Sequence, residues 1–326
     1  MKNVFDVTAV GELLIDFTPA GSDSVGDQLF VRKPGGAPAN VLAAVSRLGG
    51  RTAFIGKVGN DMFGSFLRQT LNGLNIDISG LAADPIIPTT LAFVQLDEKG
   101  DRSFRFYRNP GADIMLQTSE IPQEILEDSR ILHFGSVSLT SEPSRSATLF
   151  AVKAAKESGR VISFDPNYRP PLWQSSQEAK AQMTAGLALA DIVKVSEEEM
   201  QLLTGKTDLQ EGSLELERCG ASLVLISLGA KGAYFRRGNV AGWVPTYDVK
   251  TIDTNGAGDA FLGAVLFRLK GRKLRDIRGL SEEKLTELLS FANAAGALAT
   301  SRSGAIPAMP TLEEIEVCRK NVPILR

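Results

Sequence analysis

Apolar and polar positions along this chain alternate in two periods, short apolar runs and longer amphipathic stretches, and the order of the two changes once. Residues 4–11 read as a first strand, and Leu13-Leu-Ile-Asp-Phe17 sets one acid, Asp16, among apolar neighbours. After polar residues to Gln28, positions 29–33 read as a short strand. Pro34-Gly-Gly-Ala-Pro-Ala-Asn40 is then a stiff turn of small residues that opens a helix through Leu48, stopped by Gly49-Gly50. Residues 51–58 read as a strand, and Asn60 or Asp61 caps a helix over 62–72 that Gly73 ends. Two β-prone runs, 90–96 and 102–107, flank Asp97-Glu-Lys-Gly-Asp101, a hairpin signal; in the second run Phe104 and Phe106 share one face.

Beyond residue 130 the rhythm becomes regular. Strand-like runs at 131–139, 161–164, 192–195 and 222–228 alternate with helical stretches at 142–158 and 174–189 and a helix that begins at Ser196. A second hairpin follows at 233–237 and 240–247, then a long Ala-rich helix over 282–301 and a last one over 311–320. Such alternation predicts an α/β fold with a mainly parallel sheet between helices. The earlier runs stand outside it as a small β lid, drawn from segments within about 12–34 and 89–110, which also offers a dimer surface. With no internal repeat and no low-complexity linker, one domain over 1–326 is expected.

Composition narrows the function. The 43% hydrophobic and 23% charged fractions are those of a soluble globular chain, and a net charge of -2 leaves no footprint for nucleic acid or an anionic membrane. Small-molecule work is the default. The start, Met1-Lys-Asn-Val-Phe-Asp6, meets an acid too early for a signal peptide, and no apolar run approaches the roughly 18 residues of a membrane span. Cys219 and Cys318 lie far apart without metal-ligand spacing, which points to reduced, packed thiols in a cytoplasmic protein. The single histidine, His133, sits in Arg130-Ile-Leu-His-Phe-Gly135, an apparent buried strand, and reads as structural. Carboxylates are therefore the candidates for a base.

One carboxylate stands out. Thr251-Ile-Asp-Thr-Asn-Gly-Ala-Gly-Asp-Ala-Phe261 joins a glycine turn to a long apolar run, with Asp259 in the first helical turn. Free N–H groups and the positive helix end can receive an anion there, and an adjacent carboxylate can accept a hydroxyl proton, which is the chemistry of phosphoryl transfer. Ordinary helix starts share these features, so this stretch alone leaves both readings open. No Gly-x-x-x-x-Gly-Lys-Ser/Thr occurs, and Phe261 stands where a dinucleotide fingerprint needs its third glycine.

Two stretches in combination, Pro34-Gly-Gly-Ala-Pro-Ala-Asn40 and Asp253-Thr-Asn-Gly-Ala-Gly-Asp259, resemble the two signatures of the ribokinase-like carbohydrate kinases, the PfkB family. Ser227-Leu-Gly-Ala-Lys-Gly232 is similar to the family's nucleotide turn, and Phe291-Ala-Asn-Ala-Ala-Gly-Ala297 to its adenine-side helix. The resemblance spans essentially the whole chain and implies a three-layer sandwich carrying a β lid. Within the family, Phe106-Tyr-Arg-Asn-Pro-Gly-Ala-Asp113, Asp165-Pro-Asn-Tyr-Arg-Pro-Pro-Leu-Trp173 and Ser303-Gly-Ala-Ile-Pro-Ala-Met-Pro310 resemble fructokinases, while 2-keto-3-deoxygluconate kinases share related loops.

The resemblance implies roles residue by residue. Asp259 would be the base, with the backbone of Gly256, Ala257 and Gly258 as anion hole. The sugar would meet Asp16, Gly35, Gly36, Asn40, Arg108, Asn167 and Arg169; two arginines are more than a neutral sugar requires and would suit an acid sugar. ATP would meet Ser196 (the family's Asn position), Ser227, Gly229, Gly232 and Asn293. Glu199 would act on Mg²⁺ through water. A monovalent cation such as K⁺ would sit near Asp253, Asn255, Ala299 and Gly304, with Asn255 in place of the family's Thr. An Asp beside a helix N-terminus is expected to be stabilised as the anion and so to be a weak base. A non-catalytic sugar sensor on the same fold is the rival of another class; the retained Asp259 and glycine turn speak against it.

Overall fold

Among the residues that the computed structural model describes, 5–96 and 102–325, the β-prone runs divide between two sheets. Position 4 of the first expected strand, the N-terminal segment before it and the turn Asp97-Glu-Lys-Gly-Asp101 lie outside the described residues. The strands in chain order are β1 (Phe5–Val10), β2 (Leu14–Ser22), β3 (Gln28–Gly35), β4 (Thr52–Gly59), β5 (Ile76–Asp84), β6 (Leu91–Leu96) and β7 (Arg102–Tyr107). They continue as β8 (Ser129–Gly135), β9 (Val161–Asp165), β10 (Ile192–Ser196), β11 (Leu223–Ser227), β12 (Ala233–Arg237) and β13 (Val240–Val244). Nine of them form one sheet in the order β13-β12-β11-β10-β9-β8-β1-β4-β5, parallel except at the β11-β12-β13 edge.

The helices are α1 (Ala37–Arg47), α2 (Met62–Gly73), α3 (Gln123–Glu127), α4 (Ser144–Glu157), α5 (Ser176–Leu187), α6 (Glu197–Thr204) and α7 (Leu209–Arg218). After them come α8 (Ala257–Leu269), α9 (Leu274–Arg278), α10 (Glu282–Thr300) and α11 (Leu312–Asn321). The period of two along β1 explains the layers. Val7 and Ala9 pack with Leu42 of α1, Leu262 of α8 and Leu289 of α10, whereas Val10 belongs to the opposite core with Ala151 of α4 and Met183 of α5. Both faces are therefore covered, which is why strands such as β11 run apolar from Leu223 to Ile226 rather than alternating. The result is the expected three-layer α/β sandwich.

A second sheet of four strands, in the order β3-β2-β6-β7, stands apart. Its β2–β3 and β6–β7 pairs are antiparallel, and β2 runs parallel to β6. Aromatic side chains bind it: Phe17 stacks on Phe93 with centroids 4.9 Å apart, and Tyr107 meets Phe93 edge-on at 5.5 Å. Arg108, at its exit, is pinned to the main body by Asp113, Thr140 and the Val137 carbonyl.

Several sequence expectations shift. Strand β2 continues to Ser22 through polar residues because β3 pairs with it along that length, whereas β6 pairs only with Ile15, Asp16 and Phe17. Strand β5 and helix α7 were not expected: Ile76–Asp84 lacks clean alternation, and Leu209–Arg218 is largely polar, with its apolar contacts confined to a narrow stripe. The strand expected over 131–139 ends at Gly135, and a 3₁₀ turn occupies Val137–Leu139. Cys318 is a packed thiol at 2% exposure, but Cys219 lies exposed at the end of α7, because the helix stops there at a surface turn. Both thiols are free, and partial burial raises both pKa values.

Candidate active site

The parallel strands β1, β8, β9 and β10 all end on the same side of the sheet, where open α/β sheets keep their ligand crevices. Here β9 delivers Asp165, and β10 delivers Lys194 and Ser196. Helix α1 starts beside them with Asn40 in its first turns, and α8 starts with Asp259. The local reason is the glycines. Gly36 has φ 116° and Gly256 φ 78°, in the left-handed region, and each turns the chain sharply into its helix. A Cβ on Gly36 would overlap the Glu12 carbonyl, one on Gly35 would overlap the Asp16 carboxylate, and one on Gly256 would lie 2.7 Å from Ala305 Cβ.

Two cavities meet at the start of α8. The first is lined by Glu12, Asp16, Gly36, Asn40, Phe106, Asn167, Arg169, Asn255 and Asp259. The second, about 490 Å³, is lined by Ser227, Gly229, Gly232, Asn293 and the backbone residues Ala257 and Gly258, with Phe261, Val249 and Ala297 as apolar walls. The carboxylate of Asp259 thus opens on one cavity while the two residues before it open on the other.

Asp259 is buried and accepts a 2.8 Å hydrogen bond from Asn40 Nδ2 at its Oδ2. Burial, with Asp165 nearby, pushes its pKa up to about 6, against the Asn40 hydrogen bond and the charges of Lys194 and Arg169. This corrects the expectation that a helix N-terminus leaves it a weakly basic anion. Removal from water outweighs the stabilising charges, so the carboxylate is a stronger base than a solvated Asp. Asp16 is likewise raised to about 6 by burial, opposed by Arg169 and Lys33.

Of the expected sugar residues, Asp16, Gly36, Asn40, Asn167 and Arg169 line one cavity, and Gly35 backs it against Asp16. Arg108 does not line it. Its Nε bonds Asp113 Oδ2 at 2.8 Å, Nη1 bonds Thr140 Oγ1 at 2.8 Å and Nη2 bonds the Val137 carbonyl at 3.2 Å, so every guanidinium nitrogen is engaged with protein. In the turn before Asp259, the Ala257 N–H closes a long 3.3 Å bond to the Thr254 carbonyl. Gly258 lies in the first helical turn, where N–H groups lack helical partners.

Of the residues expected to meet a nucleotide, Ser227, Gly229, Gly232 and Asn293 line the second cavity, where Asn293 has a bracing task. Its Nδ2 donates to the carbonyls of Val244 and Pro245 at 2.9 and 3.1 Å and fixes the strand end over α10. Ser196 caps α6 and forms a reciprocal pair with Glu199, whose Oε2 accepts from the Ser196 N–H at 2.8 Å and whose Oε1 accepts from the Tyr168 N–H at 2.7 Å. Burial, with Asp165 close by, raises the Glu199 pKa. Asp253 accepts from the N–H groups of Asn255 and Gly304 at 2.8 and 2.9 Å and so ties two loops together, with Ala299 buried in the helix alongside. Among the described residues, no three His, Cys, Asp or Glu side chains converge on a metal position.

Sequence reasoning missed three side chains. Lys194 lies 2.9 Å from Asp165 in a buried ion pair and reaches to 2.9 Å from where a Gly258 Cβ would stand. Although burial opposes it, the charges of Asp165, Glu199 and Asp259 keep its pKa above the usual amine value. Glu12 is buried at the wall of the first cavity. A charge inside an apolar run was the signal in each case, as in Ile192-Val-Lys-Val-Ser196. His133 is structural as expected: burial lowers its pKa to about 4, and Nδ1 lies 3.1 Å from Ser163 Oγ.

Residues 4–312 match the family model described as pfkB family carbohydrate kinase. Fructokinase-1 of Zea mays is 44% identical over 313 residues, covering 95% of this chain and 96% of that protein. The solved structure of a fructokinase from Xylella fastidiosa with bound ATP matches with a TM-score of 0.90 at 34% identity, over 97% of this chain and 99% of that one. Fructokinase from Vibrio cholerae O395, in a form with fructose, ADP and calcium ion bound, matches at 0.84 with 40% identity, over 96% and 98% of the two chains.

Proposed function

Since the chain belongs to the pfkB family of carbohydrate kinases, we propose that its first cavity holds a sugar, its second holds ATP, and Asp259 joins the two. The enzyme is a sugar kinase, and its reaction is the ATP-dependent phosphorylation of fructose. The observation that carries the site assignment is the start of α8: Ala257 and Gly258 wall the larger cavity while Asp259, next in the chain, walls the smaller one. A phosphoryl group entering from one side would meet a hydroxyl held on the other.

In this reading the 6-hydroxyl oxygen of fructose forms a bond to the γ-phosphorus as the bond from that phosphorus to the ADP oxygen breaks. The hydroxyl proton passes to Asp259, whose Oδ2 is steadied by Asn40. The Gly258 N–H and the Lys194 ammonium supply positive potential where charge gathers on the transferring oxygens. Asp16, Asn40, Asn167 and Arg169 hold the sugar. Three carboxylates face this cavity and Arg108 is neutralised by Asp113, so the environment disfavours a carboxylate substrate and removes the ground for preferring an acid sugar.

A metal fits the nucleotide side only in part as a protein-held ion. Glu199 spends one lone pair of each oxygen on backbone N–H groups, which suits contact through water to a Mg²⁺; bound with the phosphates, that ion would offset their charge. A K⁺ at the expected position would be held by Asp253, which ties the Asn255 and Gly304 loops together, and by backbone oxygens near Ala299. The exposed Leu29, Phe30 and Tyr107 of the four-stranded sheet support a homodimer formed through it; light scattering that gives a monomer at micromolar concentration would exclude that. Two free thiols support a cytoplasmic setting. Coupled ADP-release assays with fructose, ribose, adenosine and 2-keto-3-deoxygluconate test the function. Fructose is expected to turn over fastest; phosphorylation of the acid sugar with none of fructose overturns the reading.

A further inference from the structure

Glu12 has a place in the sugar cavity that the mechanism above leaves unused. It follows Gly11 at the end of β1, is 3% exposed, and accepts the N–H of Ala37 at the start of α1 on Oε1 at 3.0 Å. Its other oxygen, Oε2, is buried with no hydrogen-bond partner. One more orphan lines the same cavity: Oδ1 of Asn40, whose Nδ2 is already committed to Asp259 and which can therefore only accept. Buried polar atoms without partners are rare in native proteins because each costs its full desolvation, and two in one cavity point to donors that a ligand brings.

We propose that Glu12 is a sugar-specificity residue: its Oε2 accepts a hydrogen bond from one hydroxyl of the bound sugar while Oδ1 of Asn40 accepts from another. The inference rests on the sugar-kinase reading and adds a residue to it. A polyol supplies two donors on one edge; an ether oxygen or a carboxylate there supplies none. The electrostatics agree. Burial pushes Glu12 up to about 7; its own backbone N–H, the Ala37 N–H and the Arg108 charge only partly offset that, and Asp113 adds to it. Across the cavity stand Asp16, Asp259 and Arg169. A donated hydroxyl hydrogen bond stabilises the ionised carboxylate, so sugar binding lowers this pKa and, by linkage, the sugar binds more tightly as pH rises through about 7.

Glu12→Gln tests this, because the amide keeps an acceptor for Ala37 yet presents a donor where Oε2 accepts. Steady-state kinetics with fructose are expected to show KM raised about 10- to 100-fold with kcat changed far less. Wild-type KM falls between pH 6 and 8, and the variant loses the limb near 7. Among monodeoxyfructoses, the analogue lacking the donor hydroxyl is insensitive to the substitution. Equal losses for every analogue, or an unchanged KM and pH profile, overturn the proposal. Should the variant not fold, a wild-type KM for fructose that does not fall through pH 7 overturns it as well. Wild-type turnover of fructose is read on its own arm: its absence defeats the function reading, whereas a normal wild type with an indifferent variant defeats only the role of Glu12.

Discussion

At the scale of single residues, the site is a set of buried acids held at a cost. Asp259, Asp16 and Glu12 all have folded pKa values above the ordinary carboxylate range, at about 6, 6 and 7. A raised value means that the folded form holds its proton better than the unfolded chain. The associated stability is complete below about pH 4 and is lost as pH rises through 6 to 7. Asp259→Asn removes one of these charges. It is expected to lower kcat about 10²- to 10⁴-fold in the ADP-coupled assay, the range for losing a general base. The same variant is expected to be more stable at pH 8, by about 3 kcal/mol in urea unfolding, and indifferent at pH 4. Retained activity would remove Asp259 as the base. In the wild type, kcat/KM for fructose rises with pH through about 6, as the base ionises.

At the scale of elements, two glycines at the start of α8 separate folding from chemistry. Gly256 has positive φ, and an added Cβ meets the Ala305 side chain and backbone, neither of which can withdraw. Gly258 faces only the flexible end of Lys194. Gly256→Ala is therefore expected to lose more than about 1 kcal/mol of stability, whereas Gly258→Ala, which displaces the ammonium, loses at least about tenfold in kcat with a smaller thermal shift. Equal thermal shifts in both would contradict this division. Much of this was legible in the sequence: the glycine turns, Asp259, Asn40 and the Asp61 cap of α2 follow from local chemistry that a linear pattern carries. Elements decided by tertiary partners were not. Strand β5 is the sheet's edge and needs only β4, so Ile76–Asp84 carries no strong alternation. Lys194, Asp165 and Glu12 acquire their meaning from one another's positions, which spacing along the chain does not encode. Arg108, expected at the sugar, is engaged instead by Asp113, five residues on and folded back against it, a contact that spacing along the chain does not announce.

For the whole molecule, the sandwich sets two cavities back to back, and among the described residues the four-stranded sheet reaches only the first. Phe106 of β7 reaches that cavity, and Lys33 of β3 bonds Ser303 at 2.8 Å, beside the loop that Asp253 gathers. The second cavity instead leans on α10, which supplies Asn293 and Ala297 to its wall and packs against α11. Here the unequal burial of the two cysteines acquires a use. Cys219, in the open, marks the native surface, while Cys318 is sealed inside α11 and becomes accessible only when that helix lifts from α10. A thiol reagent should accordingly label one site within minutes and the other at a rate set by a local opening equilibrium. ATP bound along α10 should slow the second label and leave the first alone, which mass spectrometry of the two cysteine peptides would resolve. The chain thereby contains its own paired stopwatch, one hand for the reagent and one for the parting of α11 from α10.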